Sequence, residues 1–293
     1  MPPESVEPAL HLVAPGVTVV AGKGGVGKTT VTAVLAHAAA AAGRRVLVIE
    51  LDGKPVLSEL VDGLPFRSIS AAAALDEYLR EHGFGRVAKR LSTSGVIDVV
   101  ATAAPGIDDI VVLGKIKQLE RSGEWDVIVV DGPAAGHAVT FLTAAAGMRD
   151  AVRAGPVRTQ ADEVLELLSD PTRCQVVLVT LPETTPVNEV VETAYALEDR
   201  VGVRLGGVVV NGVDRPATAL PDDDGRFPKR DPDRALLLDA ARFRRARLEV
   251  QRTEIERLRV ELALDQWHLP LMPVAAMGPA DVRSLAGELV LVR

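Results

Sequence analysis

A glycine-rich segment between a predicted strand and a predicted helix constrains this chain more than any other feature. Residues 22–30 read Gly-Lys-Gly-Gly-Val-Gly-Lys-Thr-Thr and match G-x-x-x-x-G-K-[ST], the pattern of a phosphate-binding loop. The apolar, β-branched run at 17–20 before it favours a buried strand, and the alanine-rich run at 29–42 after it favours a helix. The segment therefore predicts an α/β P-loop fold that binds a nucleotide.

The residue types of the loop suit the binding of a triphosphate. Its glycines can adopt backbone angles closed to other residues, so that successive N–H groups point into one concavity at the helix N-terminus. We expect Lys28 to reach the β- and γ-phosphates, Thr29 to ligate Mg²⁺ and Thr30 to donate to the α-phosphate. A second lysine, Lys23, is not needed for this and suggests a loop that works against a partner chain. The predicted phosphate-binding residues are Gly22, Lys23, Gly24, Gly25, Val26, Gly27, Lys28, Thr29 and Thr30.

The composition narrows the choice of partners and compartments. The formal net charge is −7 with an isoelectric point of about 5.4, and the absence of a basic stripe argues against nucleic acid as the main partner. The single cysteine, Cys174, allows no intrachain disulfide or multi-cysteine zinc site, and we expect it to be buried and inert. The sequence has no uninterrupted run of eighteen apolar residues. We expect a cytoplasmic protein without stable membrane insertion.

Strand and helix patterns alternate along the chain, which is typical of a mostly parallel sheet covered by helices on both faces. The predicted strands are residues 17–21, 45–50, 126–131, 175–180, 206–211 and 271–275, with a weak one near 97–101. The predicted helices include residues 70–82, 84–91, 107–121, 186–200 and 235–264. We expect a single P-loop domain over 1–293, with a flexible tail at 1–14, a short helical insertion at 62–122 and a mobile acidic loop at 216–233.

Two aspartates that follow predicted strands complete a nucleotide site. Asp52 closely follows the strand at 45–50, and Asp131 ends the strand at 126–131. Since ligands of an open parallel sheet bind at the carboxyl ends of its strands, both aspartates should lie beside the phosphate-binding loop. With Thr29 they form the predicted metal site, in which Asp131 holds Mg²⁺ through water and Asp52 orients the attacking water. The alternatives are a helix N-cap or turn residue for Asp131 and a turn residue for Asp52.

Several segments together resemble one family, the ArsA ATPases, which include the arsenite-pump ATPase and the ATPase that targets tail-anchored proteins. The loop at 22–29 resembles their deviant Walker A motif, and Asp-Gly-Pro-Ala-Ala-Gly-His at 131–137 resembles their switch II, D-T-A-P-T-G-H. The segment at 155–162 is similar to ArsA-like ATPases that actinobacteria carry as adjacent, partly diverged pairs. Supporting similarities are Ala-Pro-Gly-Ile-Asp-Asp at 104–109, Ala-Arg-Leu-Glu-Val-Gln at 246–251 and Leu-Pro-Leu-Met-Pro at 269–273.

The resemblance implies a dimeric ATPase that uses ATP and Mg²⁺, and it assigns roles to individual residues. Lys23 matches the signature lysine that crosses the dimer interface to the partner's phosphates. Asp52 matches the switch I aspartate that positions water, so Asp52, Lys23 and Lys28 are the predicted catalytic residues. Asn211 matches the asparagine that reads the adenine edge, although its sequence position alone equally suits a strand-end turn. His137 matches the switch II histidine, and its alternative is a polar residue in the first turn of a helix.

The chain also departs from the family pattern. Switch I reads Asp-Gly-Lys-Pro at 52–55 where the family has D-P-A-H, which keeps the aspartate but changes its frame. The cysteine pair that holds zinc in the targeting ATPases is replaced by Ala241 and Arg244, so we expect no zinc. The insertion at 62–122 contains no methionine, unlike the Met-rich client groove of those ATPases, and the cysteines of the arsenite pump are missing.

The predicted function is an ATP-hydrolysing dimeric switch whose nucleotide-driven closure controls the binding of an unknown client protein. The dimer would form between two copies or with a related ArsA-like chain. One alternative is a regulatory nucleotide-binding subunit with little hydrolysis, which the altered switch I favours. The other is a positioning ATPase of the ParA/MinD kind on DNA or a membrane, although the tail at 285–293 has too few basic residues to support it.

Overall fold

The structure, a computed structural model, describes residues 12–13, 16–51, 56–81, 106–216 and 233–292. The strands are β1 (Gly16–Gly22), β2 (Val46–Glu50), β3 (Phe66–Ser68), β4 (Val127–Ala134), β5 (Cys174–Thr180), β6 (Arg204–Val213), β7 (Gln266–Pro270) and β8 (Val290–Val292). They form one sheet in the order β3–β2–β4–β1–β5–β6–β7–β8. All neighbouring strands are parallel except β7 and β8, which are antiparallel. The predicted α/β class with a mostly parallel sheet is confirmed.

Helices cover both faces of this sheet, as the alternating pattern predicts. They are α1 (Lys28–Ala41), α2 (Val56–Leu60), α3 (Ala71–Glu81), α4 (Ile107–Arg121), α5 (Ala135–Ala151), α6 (Pro156–Ser169), α7 (Thr184–Arg200), α8 (Arg234–Glu261) and α9 (Pro279–Ala286). Helices α1, α2 and α9 bury side chains such as Val31 and Leu285 on one face. Helices α4 to α7 bury side chains such as Ile116 and Leu142 on the other. The two aliphatic cores hold the central strands from both sides.

Strand β1 positions the phosphate-binding loop. Its side chains are buried on both faces, with Val19 in one core and Val20 in the other. The strand ends at Gly22, which pairs in register with Ala134 of β4 and with Val179 of β5. The loop therefore starts from the centre of the sheet, where the carboxyl ends of three parallel strands meet.

The predicted strand at 271–275 is wrong, because the strand in this region is β7, which ends just before it. The segment that follows is a loop in which Leu271 is exposed. Strand β7 buries Trp267 together with two polar side chains, Gln266 and His268. The later segment is the more apolar of the two, which explains the error: the polar residues of β7 are buried against expectation.

The other predicted elements have different outcomes. The two edge strands, β3 and β8, have three residues each, too short for a periodic pattern, and were not predicted. The predicted helix at 84–91 and the weak strand near 97–101 lie outside the described residues, as does most of the acidic loop at 216–233. The helix at 107–121 has its predicted bounds.

The end of the predicted flexible tail is packed against the fold. Leu12 and Val13, within the predicted tail, are buried, and the carbonyl oxygen of Leu12 accepts a hydrogen bond from Gln175 Nε2 at 2.7 Å.

In the part of the chain that the structure describes, no helix has both the length and the apolar character to cross a bilayer.

Candidate nucleotide-binding site

The phosphate-binding loop leaves β1 at Gly22 and enters α1 at Lys28. Gly25 and Gly27 take left-handed backbone angles, with φ of 87° and 90°, a region that favours glycine. The first N–H groups of a helix have no carbonyl of an earlier turn to bind, and the helix dipole adds partial positive charge at that end. The geometry of loop and helix therefore suits a phosphate group.

Two glycines of the loop approach neighbouring strands more closely than any side chain would permit. A Cβ atom on Gly22 would lie 2.3 Å from the carbonyl oxygen of Val179 on β5. A Cβ atom on Gly27 would lie 2.2 Å from Nδ2 of Asn211 on β6. The same Nδ2 donates to the carbonyl oxygen of Val26 at 2.9 Å. Asn211 thus supports the loop itself, a contact that the sequence analysis did not foresee, and its role toward adenine stays a prediction.

The two lysines of the loop have different partners. The Lys28 ammonium donates to the carbonyl oxygen of Lys23 at 3.2 Å, so it binds its own loop. The Lys23 ammonium lies 2.5 Å from Oε1 of Glu189 on α7, and the two side chains are 37% and 36% exposed. The side chain that the sequence analysis assigns to a partner's nucleotide is therefore paired within its own chain.

Thr29 and Asp131 lie together at the end of the loop. Thr29 Oγ1 donates to Asp131 Oδ2 at 2.8 Å, and Thr32 Oγ1 lies 3.4 Å from the other carboxylate oxygen. Hydroxyl and carboxylate oxygens are ligands that Mg²⁺ prefers, and Mg²⁺ in nucleotide sites usually takes one or two carboxylates plus phosphates and water. The pair therefore fits Mg²⁺. Among the described residues, no cluster of three or more His, Cys, Asp and Glu side chains could hold a metal.

The position of Asp131 in the fold excludes one of the alternatives for this residue, that of a helix N-cap. Asp131 lies inside β4, and α5 begins only at Ala135, so the alternative of a helix N-cap does not apply. Four buried residues precede it in the strand, and its own side chain is half-buried. The sheet thus fixes the backbone of Asp131 while its carboxylate faces the start of α1.

Glu50 is a candidate site residue that the sequence analysis did not single out. It ends β2, is 2% exposed and pairs in register with Asp131 of β4. Residues paired in register on parallel strands point to the same face of the sheet, so the two carboxylates share one side. Ser68 Oγ donates to Glu50 Oε2 at 2.9 Å. Glutamate is rarely fully buried unless it is paired. The position of Glu50 at the end of an otherwise apolar strand was therefore the sequence signal that it has a partner.

Asp52, the predicted water-positioning residue, lies outside the described residues. The described chain before it ends at Leu51, which borders a cavity of about 410 Å³ that Asp109 and His137 also line. Burial raises the pKa of Asp109, and the neighbouring Asp108 raises it further. The structure therefore brings Leu51, the predicted switch II histidine and the first turn of α4 around one cavity.

A larger cavity, of about 690 Å³, is lined by Gly212, the residue that follows Asn211 in the chain. It is lined by residues that follow β5 and β6, such as Leu181 and Gly212, and by one side of α8, including Phe243. Cavities of roughly 300–1,000 Å³ are the size that small-molecule ligands occupy. At its edge Arg244 donates two hydrogen bonds to the Asp214 carboxylate, at 2.6 and 2.8 Å, which lowers the pKa of Asp214.

The remaining sequence expectations concern the cysteine and the zinc positions. Cys174 is fully buried, and burial raises the pKa of its thiol to about 12. Ala241 is buried on α8, and Arg244 pairs with Asp214 as described above. That no zinc is bound stays a prediction.

Comparison with known proteins places this geometry in context. Residues 16–154 match the family model described as an anion-transporting ATPase, ArsA_ATPase. The chain is 33% identical over 239 residues to ATPase BagA of Mycobacterium tuberculosis, a match that covers 73% of this chain and 67% of that protein.

The arsenical pump-driving ATPases are more distant and longer. The protein of that name from Escherichia coli is 30% identical over 202 residues, which cover 67% of this chain and 34% of that protein. The one from Acidiphilium multivorum is 27% identical over 278 residues, covering 92% of this chain and 43% of that protein. The chain therefore spans less than half the length of these two relatives.

Proposed function

This chain belongs to the ArsA family of ATPases, and from that membership we propose that it binds and hydrolyses ATP in the presence of Mg²⁺. The observation that carries the proposal is the contact of Thr29 Oγ1 with Asp131 Oδ2 at 2.8 Å, at the end of a glycine-rich loop that opens a helix. A hydroxyl and a carboxylate in this arrangement are what a nucleotide-bound Mg²⁺ needs from the protein.

The proposed roles of the residues follow from their places around the loop. Lys28 leaves the carbonyl oxygen of Lys23 and binds the β- and γ-phosphates, and the backbone N–H groups of the loop bind the remaining phosphate oxygens. Thr29 and Asp131 hold Mg²⁺, which would neutralise charge on the phosphates when bound. Asp52 orients the attacking water.

The nucleoside part of ATP is proposed to occupy the cavity of about 690 Å³ that Gly212 and Phe243 line. That cavity lies at the carboxyl ends of β5 and β6, where ligands of parallel sheets bind. Its apolar lining, with Leu181 and Phe243, suits a purine ring. Asn211, already bound to the loop at Val26, would link the base to the phosphates.

We further propose that the ATP-bound chain forms a dimer, with a second copy or with a related chain, in the cytoplasm. In this dimer Lys23 of each subunit binds the partner's nucleotide, and hydrolysis reopens the pair. Closure would expose or hide a surface for a client protein, and the helical segment within 62–122 is the proposed carrier of that surface. Residues 1–293 act as one domain in this proposal.

A second candidate function is a regulatory subunit that binds nucleotide with little hydrolysis. Two observations favour it: the altered segment at 52–55, and the pairing of Lys23 with Glu189 of its own chain. Turnover of the purified chain, alone and with a related chain, separates the two functions. ATP binding without hydrolysis in both settings would rule out the ATPase function.

The proposed ATPase is tested by two lysine substitutions. Lys28→Ala is expected to abolish nucleotide binding, because it removes the cation that binds the β- and γ-phosphates. Lys23→Ala is expected to leave binding largely intact and to reduce hydrolysis. Binding is measured with a fluorescent ATP analogue and hydrolysis by phosphate release. An equal loss of binding in both variants would show that Lys23 serves its own loop alone.

A further inference from the structure

The contact between Lys23 and Glu189 joins two parts of the fold that are 166 residues apart in sequence. The Lys23 ammonium lies 2.5 Å from Oε1 of Glu189. One residue belongs to the phosphate-binding loop and the other to the second turn of α7. The loop thus has a charged partner outside its own concavity.

Helix α7 holds Glu189 in a defined place. Its buried face includes Val187 and Val190, on either side of Glu189 in sequence. Side-chain hydrogen bonds tie its first turns to α8: Thr184 Oγ1 donates to Glu254 at 2.9 Å, and Arg257 donates to the Asn188 side chain at 2.7 Å. Because the helix is anchored on two sides, the Glu189 carboxylate is presented to the loop.

The Lys23 side chain can leave this partner without disturbing the rest of the loop. More than a third of each side chain is exposed, so the ion pair is of the weak, solvent-screened kind. Lys28 donates its hydrogen bond to the backbone carbonyl oxygen of Lys23, and the side-chain ammonium of Lys23 takes no part in that bond. Movement of the Lys23 ammonium therefore does not require Lys28 to move.

We infer that Glu189 is a positioning residue that holds Lys23 on its own subunit until a second nucleotide-loaded subunit arrives. The inference rests on the proposed function, in which Lys23 binds the partner's nucleotide. Glu189 and the partner's triphosphate compete for the same ammonium, and the triphosphate, with its greater negative charge, wins. Each closure of the dimer must break this pair.

The strength of the effect follows from symmetry. An exposed ion pair of this type changes an equilibrium by about 1.4- to 5-fold. A two-fold symmetric dimer breaks two such pairs, so the factors multiply to about 2- to 30-fold. Removing the Glu189 charge should therefore tighten ATP-dependent dimerisation by that factor and leave the affinity of the monomer for ATP unchanged.

The test measures the dimer dissociation constant by analytical ultracentrifugation, with Mg²⁺ and a non-hydrolysable ATP analogue. Glu189→Gln is compared with wild type and with Glu192→Gln, a control that removes the same charge from the same helix. Glu192 is exposed and makes no hydrogen bond or ion pair with the described residues. The same pair of glutamine variants is also made in a Lys23→Ala chain, and analogue affinity is measured at monomer concentrations.

The expected result is tighter dimerisation in Glu189→Gln, no change in Glu192→Gln, and no effect of Glu189→Gln once Lys23 is alanine. If Lys23→Ala weakens the dimer but Glu189→Gln equals wild type or is weaker, the inference is overturned and the proposed function stands. If Glu189→Gln tightens the dimer equally in the Lys23→Ala chain, the effect is not transmitted through Lys23 and the inference also fails. If no variant dimerises with nucleotide, the proposed function fails, and the inference with it.

Discussion

The contact between Gly27 and Asn211 leads to a prediction whose size can be worked out. In Gly27→Ala the new Cβ atom would lie 2.2 Å from Asn211 Nδ2, and outside the neighbouring residues of the chain only Asn211 Cγ would also lie within 4 Å. The Asn211 carboxamide must move, which breaks its hydrogen bond to the Val26 carbonyl, worth about 1 kcal/mol. The left-handed φ of 90° adds about 1–2 kcal/mol for a residue with a side chain. The free energy of unfolding should therefore fall by about 2–3 kcal/mol.

Gly25→Ala is the matched control. Its φ of 87° has the same backbone cost, but apart from its neighbours in the chain no described atom would lie within 4 Å of a Cβ atom there. We expect a loss of about 1–2 kcal/mol there. Asn211→Ala removes the group that Gly27→Ala would strike, so in that background Gly27→Ala should cost no more than Gly25→Ala.

The assay is urea-induced unfolding followed by the fluorescence of Trp125 and Trp267. It is applied to Gly25→Ala and to the four proteins of a double-mutant cycle on Gly27 and Asn211. We expect an interaction free energy of about 1 kcal/mol between the two sites. Equal losses for Gly27→Ala and Gly25→Ala, or a cycle without coupling, would refute the role of Asn211 as the support of the loop.

Three other predictions concern buried groups. Glu50→Gln should weaken Mn²⁺ binding to the ADP complex by about tenfold, because it removes a negative charge from the face of the sheet on which Asp131 lies. Electron paramagnetic resonance of free Mn²⁺ measures the binding, and unchanged binding would place Glu50 outside the proposed metal site. The pKa of His268 is lowered to about 4 by burial and by Arg215, so its protonation favours the unfolded chain, and stability should fall as the pH drops from 6.5 towards 4. His268→Phe should reduce that fall, by up to about 3 kcal/mol in unfolding free energy, and an identical pH dependence in both proteins would contradict the assignment. Cys174, with a thiol pKa of about 12, should react with a disulfide reagent only after unfolding in urea, and rapid reaction of the native protein would contradict its burial.

The parts of the fold that the sequence predicts correctly are those with a strong local pattern. The central strands are runs of Val, Ile and Leu that are buried on both faces, so their apolar character is continuous and easy to read. Helix α4 likewise has its predicted bounds, with Gly106 in a left-handed conformation before it and Ser122 after it.

The parts that it misses depend on contacts between distant segments. Strand β7 contains Gln266 and His268, whose burial follows from pairing with β6 and β8 and not from their own polarity. A local pattern also cannot show that Asn211 supports the loop at Val26, 185 residues earlier. The place of the loop between β1 and α1 could be predicted because its motif is contiguous, whereas the partners of the loop are brought to it by the strand order.

Those partners differ in how easily they can respond to a nucleotide. Gly22 lies so close to β5, and Gly27 so close to Asn211, that no Cβ atom would fit between them. The exposed pair of Lys23 with Glu189 can break at small cost. Asp131 offers a second route, because β4 continues directly into α5, which packs on α4, α6 and α7. A shift of Asp131 at the proposed metal site would therefore reach these helices through packed, contiguous elements.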